Sequence, residues 1–432
     1  MQIVKLAQFK TTKRYKIIMK RSCQNYDALF PMVKKIMNDI EKNGDTAIKK
    51  YTKKFDGINI DNPKVSTNEI KTAYKKVSKQ FLTALNQAIS NITAVHQTQL
   101  PSSAEKIVKP TPGIKIWKKW QSIERVGLYV PGGKALYPSS VLMNGIPAKI
   151  AGCKNISIIT PPRKDGTIAP EILVTANMIG IKNIYKIGGI QAIGALTYGT
   201  ETIPKVDKIV GPGNAYVTVA KMIGLMSGKI AIDSPAGPSE NLIIADNIAN
   251  PKFVTADLMC DIEHGGDSAA ILATTSNKLA EEVRRLIKKE INKFSTKNYI
   301  KQSIKKYSQI IIANSIKDCI TFANDYAPEH IQIMTTNSKA IAKQITNAGS
   351  IFIGSYTCKS AGDYATGANH VLPTGGSAKM FSGLSVLDFV RLVEYQTCTK
   401  QGLKNIKKTI ETFAEVENLP AHKYSCSIRF NQ

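Results

Sequence analysis

The segment Gly127-Leu-Tyr-Val-Pro-Gly-Gly133 runs a short apolar stretch directly into a glycine turn. Four residues are too few for a buried helix, so Gly127–Val130 reads as a strand and Pro131-Gly132-Gly133 as its end. The same unit recurs downstream. A helix is predicted from Ser140 to Ile150, a strand at Ile156–Thr160, and a helix before Gly180. A strand at Ile184–Ile187 then enters Gly188-Gly189-Ile190-Gln191, and Lys208–Val210 breaks at Gly211-Pro-Gly-Asn214 before another helix. Short apolar strands alternating with helices specify a parallel sheet with helices on both faces. Right-handed crossovers place the strand-to-helix loops together at one edge. Glycine in three such loops lets backbone N–H groups approach a phosphate. The common GxGxxG fingerprint is absent, and plain tight turns remain the alternative reading.

Outward from this unit, residues 1 to about 25 read as a short basic arm without a core of its own. Residues 26 to 100 carry a helical pattern. One helix follows Pro31 and ends at Asn43-Gly44, and Asp45 is expected to cap the next; a second long helical region runs from Glu69 to Thr98. On the other side, strands are expected at Leu242–Ala245, Ala270–Leu272, Ile310–Ile312 and Ser350–Ile353, with a helical stretch from about 380.

A chain of 432 residues has room for two or more cores, and 43% apolar content is ordinary for a globular protein. No apolar run approaches 18 residues, so no membrane span is expected. Seven scattered cysteines without a CxxC pair fit free thiols in a reducing compartment, the cytoplasm. The net charge of +27 is mostly lysine and spread along the chain. It reads as solvated surface with no nucleic-acid partner, although it favours the approach of an anionic dinucleotide.

Chemistry concentrates in the second half. Asn250-Pro251 starts a helix and Gly265-Gly266 stops it; Val254, Leu258 and Ile262 form its apolar stripe. On another face lie Asp257, Asp261 and His264, the last two one turn apart, a spacing that can hold a divalent metal. The alternative is a solvated helix end favouring histidine. His96 stands alone and reads as structural or surface. The other four histidines each lie near a carboxylate: Glu263-His264, Glu329-His330, Asp363 with His370, and Glu417 with His422. Asp325-Tyr-Ala-Pro-Glu329-His330 is expected as a loop or helix start beside a cleft, supplying a general base and a water activator. Ser360-Ala-Gly-Asp363-Tyr-Ala-Thr-Gly367 is expected as a loop holding its Asp toward a ligand.

The runs GLYVPGGKALYPSSVLMNGIPAKIAGC (127–153), GGIQAIGALTYGT, GPGNAYV, IDSPAGPSE, EHGGDS, DYAPEH, SAGDYATGANHVLPTGG and ENLPAH resemble histidinol dehydrogenase, in order and over nearly the whole chain. Gly44-Asp45 leading to YTKKFDG (51–57) does so too. The resemblance implies a zinc-dependent, NAD-linked oxidation of L-histidinol to L-histidine through bound L-histidinal, in two hydride transfers. It implies an α/β fold of two Rossmann-like parallel-sheet domains, one inserted in the other, with small N- and C-terminal helical elements in an intertwined homodimer. The divisions would be an arm at 1–25, a first domain at 26–126 and 238–378 carrying metal and catalytic residues, an NAD domain at 127–237, and a dimerisation element at 379–432. By motif, Asp261, His264, Asp363 and His422 would hold one zinc per subunit, His422 coming from the second subunit. Glu329 would activate water and His330 act as general base. Ser239, Asp261, His264, His330, Asp363, Glu417 and His422 would line the histidinol site, and Tyr129, Gln191 and Asn214 would contact NAD.

One departure stands out. The family usually has Gln where this chain has Asp261, three residues before His264. A carboxylate is an acceptable zinc ligand, but with Asp363 it would formally neutralise the ion and weaken it as a Lewis acid. Metal binding is expected to survive with altered turnover or metal preference. Cys153 invites a thiohemiacetal route, yet its setting after Ala-Gly reads as buried and apolar. A dehydrogenase of another small alcohol, a zinc hydrolase and a basic nucleic-acid-binding protein are the rival readings.

Overall fold

The computed structural model describes residues 1–21, 26–101, 106–132, 136–234 and 237–430. Gly133, Lys134 and Ala135 of the first glycine turn and Pro235-Ala236 of IDSPAGPSE lie outside the described residues. The strands, in chain order, are β1 (Ile3–Lys5), β2 (Ile114–Ser122), β3 (Arg125–Tyr129), β4 (Asn155–Thr160), β5 (Asn183–Lys186), β6 (Lys208–Val210) and β7 (Ala231–Ile232). They continue with β8 (Glu240–Ala245), β9 (Ala269–Thr274), β10 (Gln309–Ile312), β11 (His330–Met334), β12 (Ser350–Ile353) and β13 (Val390–Cys398).

Two wholly parallel sheets result. One has the order β5-β4-β3-β6-β7, the other β1-β10-β9-β8-β11-β12. Each is buried on both faces. Leu128 and Ile158 pack on one side of the first sheet, Tyr129 and Ile159 on the other, as strand alternation requires. Leu242, Ile271 and Ile331 face one core of the second sheet, Ile243 and Leu272 the opposite one. β2 and β13 form a separate antiparallel ribbon. Among the described residues no helix is long and apolar enough to cross a membrane.

Several expectations are corrected. The supposed arm is built into the second sheet: β1 pairs in parallel with β10, and Leu6, Phe9 and Ile18 are buried in the sheet's core. The main helices of residues 26–126 are buried against the five-stranded sheet and touch 238–378 only locally, as where Asn91 and His96 bond Ala365 and Asn369. Val33, Met37, Ile40 and Ile48 of helix Phe30–Asp56 cover one face of the five-stranded sheet, and Leu85 and Ile92 of helix Lys79–Gln97 cover the other. An amphipathic stripe records that a helix is covered, not by which sheet.

Helix Phe30–Asp56 does break at Gly44, whose φ of 46° and ψ of -128° leave the helical region. Asp45, however, accepts a hydrogen bond from the Thr202 hydroxyl instead of capping the helical half beyond the break. The region from Glu69 to Thr98 divides into helices Thr67–Tyr74 and Lys79–Gln97, because Ser66 with Glu69 and then Ser78 each start a helix through side-chain caps. His330 opens β11 instead of a loop or helix, Asp363 lies in a short helix, Lys359–Tyr364, and the stretch after 380 includes β13. β11 was missed because a histidine and a glutamine interrupt its apolar run.

The two sheets meet edge to edge. In the first, chain order reverses between β3 and β6, opening a crevice at their carboxyl ends. Gly211 sits there with φ 113°, where a Cβ would collide with the Tyr129 carbonyl oxygen, so only glycine fits. In the second, the residues that face this crevice lie at the amino ends of β8, β9 and β11. A rule that placed all functional loops on carboxyl edges describes only half of the cleft.

Candidate active site

The cleft between these edges has a volume of about 430 Å³. Tyr129, Gly132, Gly213 and Asn214 line it from the five-stranded sheet; Ser239, His264, Glu329, His330, Lys359 and Asp363 line it from the other.

Glu240, the first residue of β8, organises the acid–base pair. Its backbone N–H donates to Glu329 Oε2 at 3.0 Å, and its carbonyl oxygen lies 3.2 Å from His330 Nδ1. With Nδ1–H donating to that carbonyl, the lone pair is left on Nε2, which is buried without a hydrogen bond from any of the described residues. Nε2 lies 3.9 Å from Asp363 Oδ1, and Nδ1 lies 3.5 Å from Glu329 Oε2. Burial works to depress the His330 pKa, but the negative charges of Glu329 and Asp261 outweigh it and hold it above the ordinary value.

Beneath Glu240 lies Arg21. Its Nε donates to Glu240 Oε2, its Nη2 donates to the Tyr326 carbonyl at 3.0 Å, and its guanidinium stacks 3.4 Å from the Tyr326 ring centre. Sequence reading missed both Arg21 and Glu240, since neither belongs to a motif with chemistry of its own.

The acid side is built by two helices. Helix Pro251–Ile262 presents Asp261, which is fully buried; among the described residues neither carboxylate oxygen accepts a hydrogen bond, and Oδ1 is met by an ion-pair partner, Lys359. Asp257, one turn earlier, is occupied by Gln332 Nε2, which donates to it at 2.7 Å. Helix Lys359–Tyr364 presents Asp363 and, four residues before it, Lys359. Lys359 Nζ lies 2.8 Å from Asp363 Oδ2 and 3.1 Å from Asp261 Oδ1. Burial raises the Asp363 pKa, yet Lys359 and then His330 more than offset it and hold the carboxyl below its usual value. His264 is held low by burial first and by the Lys359 charge second. Lys359 was also missed, although its i, i+4 spacing to Asp363 was visible.

The structure thus brings His264, Asp363, Glu329 and His330 to one wall with Ser239, while Asp261 is fully buried beside His330 and Lys359 and does not line the cleft. It does not bring Glu417 or His422, which are exposed on the C-terminal helices. Among the described residues, no three His, Cys, Asp or Glu side chains form a group arranged to hold a metal. On the opposite wall, Tyr129 Oη accepts from the Gly189 N–H at 3.2 Å, and Asn214 caps its helix by accepting from the Val217 N–H at 3.1 Å. Gln191 is fully buried and donates to Asp56 Oδ2 at 3.0 Å, with its Oε1 unpartnered. His96 is buried and structural: Nδ1 bonds the Ile92 carbonyl and Nε2 accepts from Asn369.

The family model for histidinol dehydrogenase matches residues 19–430. The chain belongs to the histidinol dehydrogenase family. Histidinol dehydrogenase of Methanocaldococcus jannaschii is 45% identical over 420 residues, covering 97% of each chain. That of Clostridium acetobutylicum is 43% identical over 418 residues, covering 97% of this chain and 96% of its own. The crystal structure of histidinol dehydrogenase from Elizabethkingia anophelis, 45% identical, superposes with a TM-score of 0.92 over 100% of this chain and 97% of that one.

Proposed function

We propose that this chain oxidises L-histidinol to L-histidine through bound L-histidinal, in two hydride transfers to NAD, with one divalent metal ion, zinc, per subunit. The observation that carries the reading is the buried Nε2 of His330, unpartnered among the described residues and 3.9 Å from Asp363 Oδ1, on one wall of a cleft whose other wall is a glycine-loop edge. His330 takes the alcohol proton on Nε2 as hydride leaves the carbinol carbon. Glu329 takes a proton from the water that adds to the aldehyde.

The donor chemistry of Asp261, His264 and Asp363 suits a divalent cation, although among the described residues of one subunit no three such groups converge. Asp261 Oδ2 is buried without a hydrogen bond among the described residues, its Oδ1 meets the Lys359 ammonium, and Asp363 stands across the same ammonium. Asp261, His264, Asp363 and a His422 from a second subunit would hold the metal ion, which would polarise the alcohol and aldehyde oxygen. Ser239 and Glu417 join these groups in binding histidinol. Coenzyme is read at Tyr129, Gln191 and Asn214, beside the glycine loops at 188–189 and 211–213, whose backbone N–H groups suit a phosphate.

The homodimer reading rests on the C-terminal helices. Phe413, Val416, Leu419 and Tyr424 lie exposed there, an apolar face suited to another chain. A second hollow, about 540 Å³, shares Tyr137, Ser139, His264 and Tyr364 with the cleft and offers a route for an inserted segment.

The test is an NADH-formation assay with L-histidinol, run with and without a chelator. Two NADH per histidine formed, abolished by chelation and restored by zinc, is the expected result. Absence of NADH from histidinol overturns the proposal.

A further inference from the structure

Lys359 holds a position that neither the acid–base pair nor the coenzyme wall explains. Its side chain is only 4% exposed, and its ammonium stands between Asp261 and Asp363, whose side chains are 0% and 10% exposed. An ammonium is buried only where opposite charge replaces its water. Here the two carboxylates supply that charge. The two oxygens it meets belong to the two residues read above as metal ligands. Any ion bridging those carboxylates must share them with this ammonium.

The charge count connects this to Asp261. Two carboxylates and one ammonium leave a single net negative charge.

We propose that Lys359 is an internal counter-cation of the site, which shares Asp261 and Asp363 with the divalent ion and offsets part of the combined negative charge of the two carboxylates. The inference rests on the metal reading above. Like charges a few ångströms apart repel strongly in a buried setting, so the ammonium lowers the affinity for the ion and restores its strength as a Lewis acid. Asp261 and Lys359 thereby form a compensating pair, drawn from segments far apart in the chain.

The test uses full-length protein stripped with a chelator, without substrate or coenzyme. Zn²⁺ affinity is measured against a competing chromophoric chelator, and Co²⁺ binding by its visible spectrum. Lys359→Met should bind either ion roughly tenfold or more tightly than the native chain. Asp261→Asn should bind more weakly than native. The double variant Asp261→Asn/Lys359→Met, which has the native net charge and no unpaired buried ammonium, should return to within a few-fold of native. Weaker binding in Lys359→Met overturns the proposal, because it makes the lysine a strut that holds the carboxylates in place. Unchanged affinity overturns it as well. If the native chain and all variants bind neither ion, the metal reading fails and the proposal falls with it; uptake only after removal of Lys359 supports it.

Discussion

Arg21 and Glu240 form an ion pair with side chains 5% and 1% exposed, directly beneath the acid and base of the cleft. One partner comes from the first 21 residues, the other from the start of β8. The pair matters because Glu240 holds Glu329 through its N–H and orients His330 through its carbonyl. Arg21→Met leaves Glu240 buried without its countercharge, and the expected loss of stability is about 3–5 kcal/mol by denaturant titration. Arg21→Met/Glu240→Gln should recover much of it. Native-like stability in the single variant would show that the pair is not a structural anchor.

His330→Asn should lower kcat by roughly 10²–10⁴-fold, the usual value of a positioned base, with a smaller change in KM. In the native chain kcat/KM should rise with pH through a value above the ordinary histidine range, since the charged neighbours stabilise the imidazolium. Glu329→Gln removes the largest of those charges and should move that limb to lower pH. NADH progress curves across pH measure both effects; a limb that stays put in Glu329→Gln contradicts the assignment.

Stability should fall in mild acid. His96 is held below its ordinary pKa by burial, and His370 is pushed down to about 4 chiefly by burial. The unfolded chain takes up these protons near pH 6.5, the folded chain only at lower pH. Their contribution is therefore complete above about 6.5 and is lost as pH falls toward 4, with about 2–3 kcal/mol of it from His370. Denaturant midpoints at several pH values check this. His370→Asn should flatten the dependence, and an unchanged slope would assign it elsewhere.

Cys153 is not expected to take part in either oxidation. It is 9% exposed within the core of the five-stranded sheet, and burial pushes its thiol up to about 12. Cys153→Ala should cost about 1 kcal/mol of stability and leave oxidation of histidinol and of histidinal within about twofold of native. Selective loss of the second oxidation would restore the thiohemiacetal route.

Much of this protein was legible in one dimension because its signals are local. Strands such as Ile156–Thr160 and Leu242–Ala245 are short apolar runs, the breaks at Gly44 and Gly211 follow from backbone freedom, and the family motifs lie in contiguous pieces. The approach of Asp261 and Asp363 to each other could only be inferred through resemblance.

What tertiary structure alone decided is relational. β11 was hidden because His330 and Gln332 are buried polar residues at a functional edge, so the strand lacks a clean apolar pattern. The N-terminal segment joined the second sheet, and helices 30–97 joined the first, because apolar stripes specify burial without naming the surface that buries them. Lys359 looked like one more solvated lysine among many. Its ammonium became part of the site only when two helices, more than ninety residues apart in the chain, placed a carboxylate on either side of it. Sequence determined which groups could carry charge; packing determined which of those charges had to answer each other, since electrostatic coupling depends on distance through space and on exclusion of water.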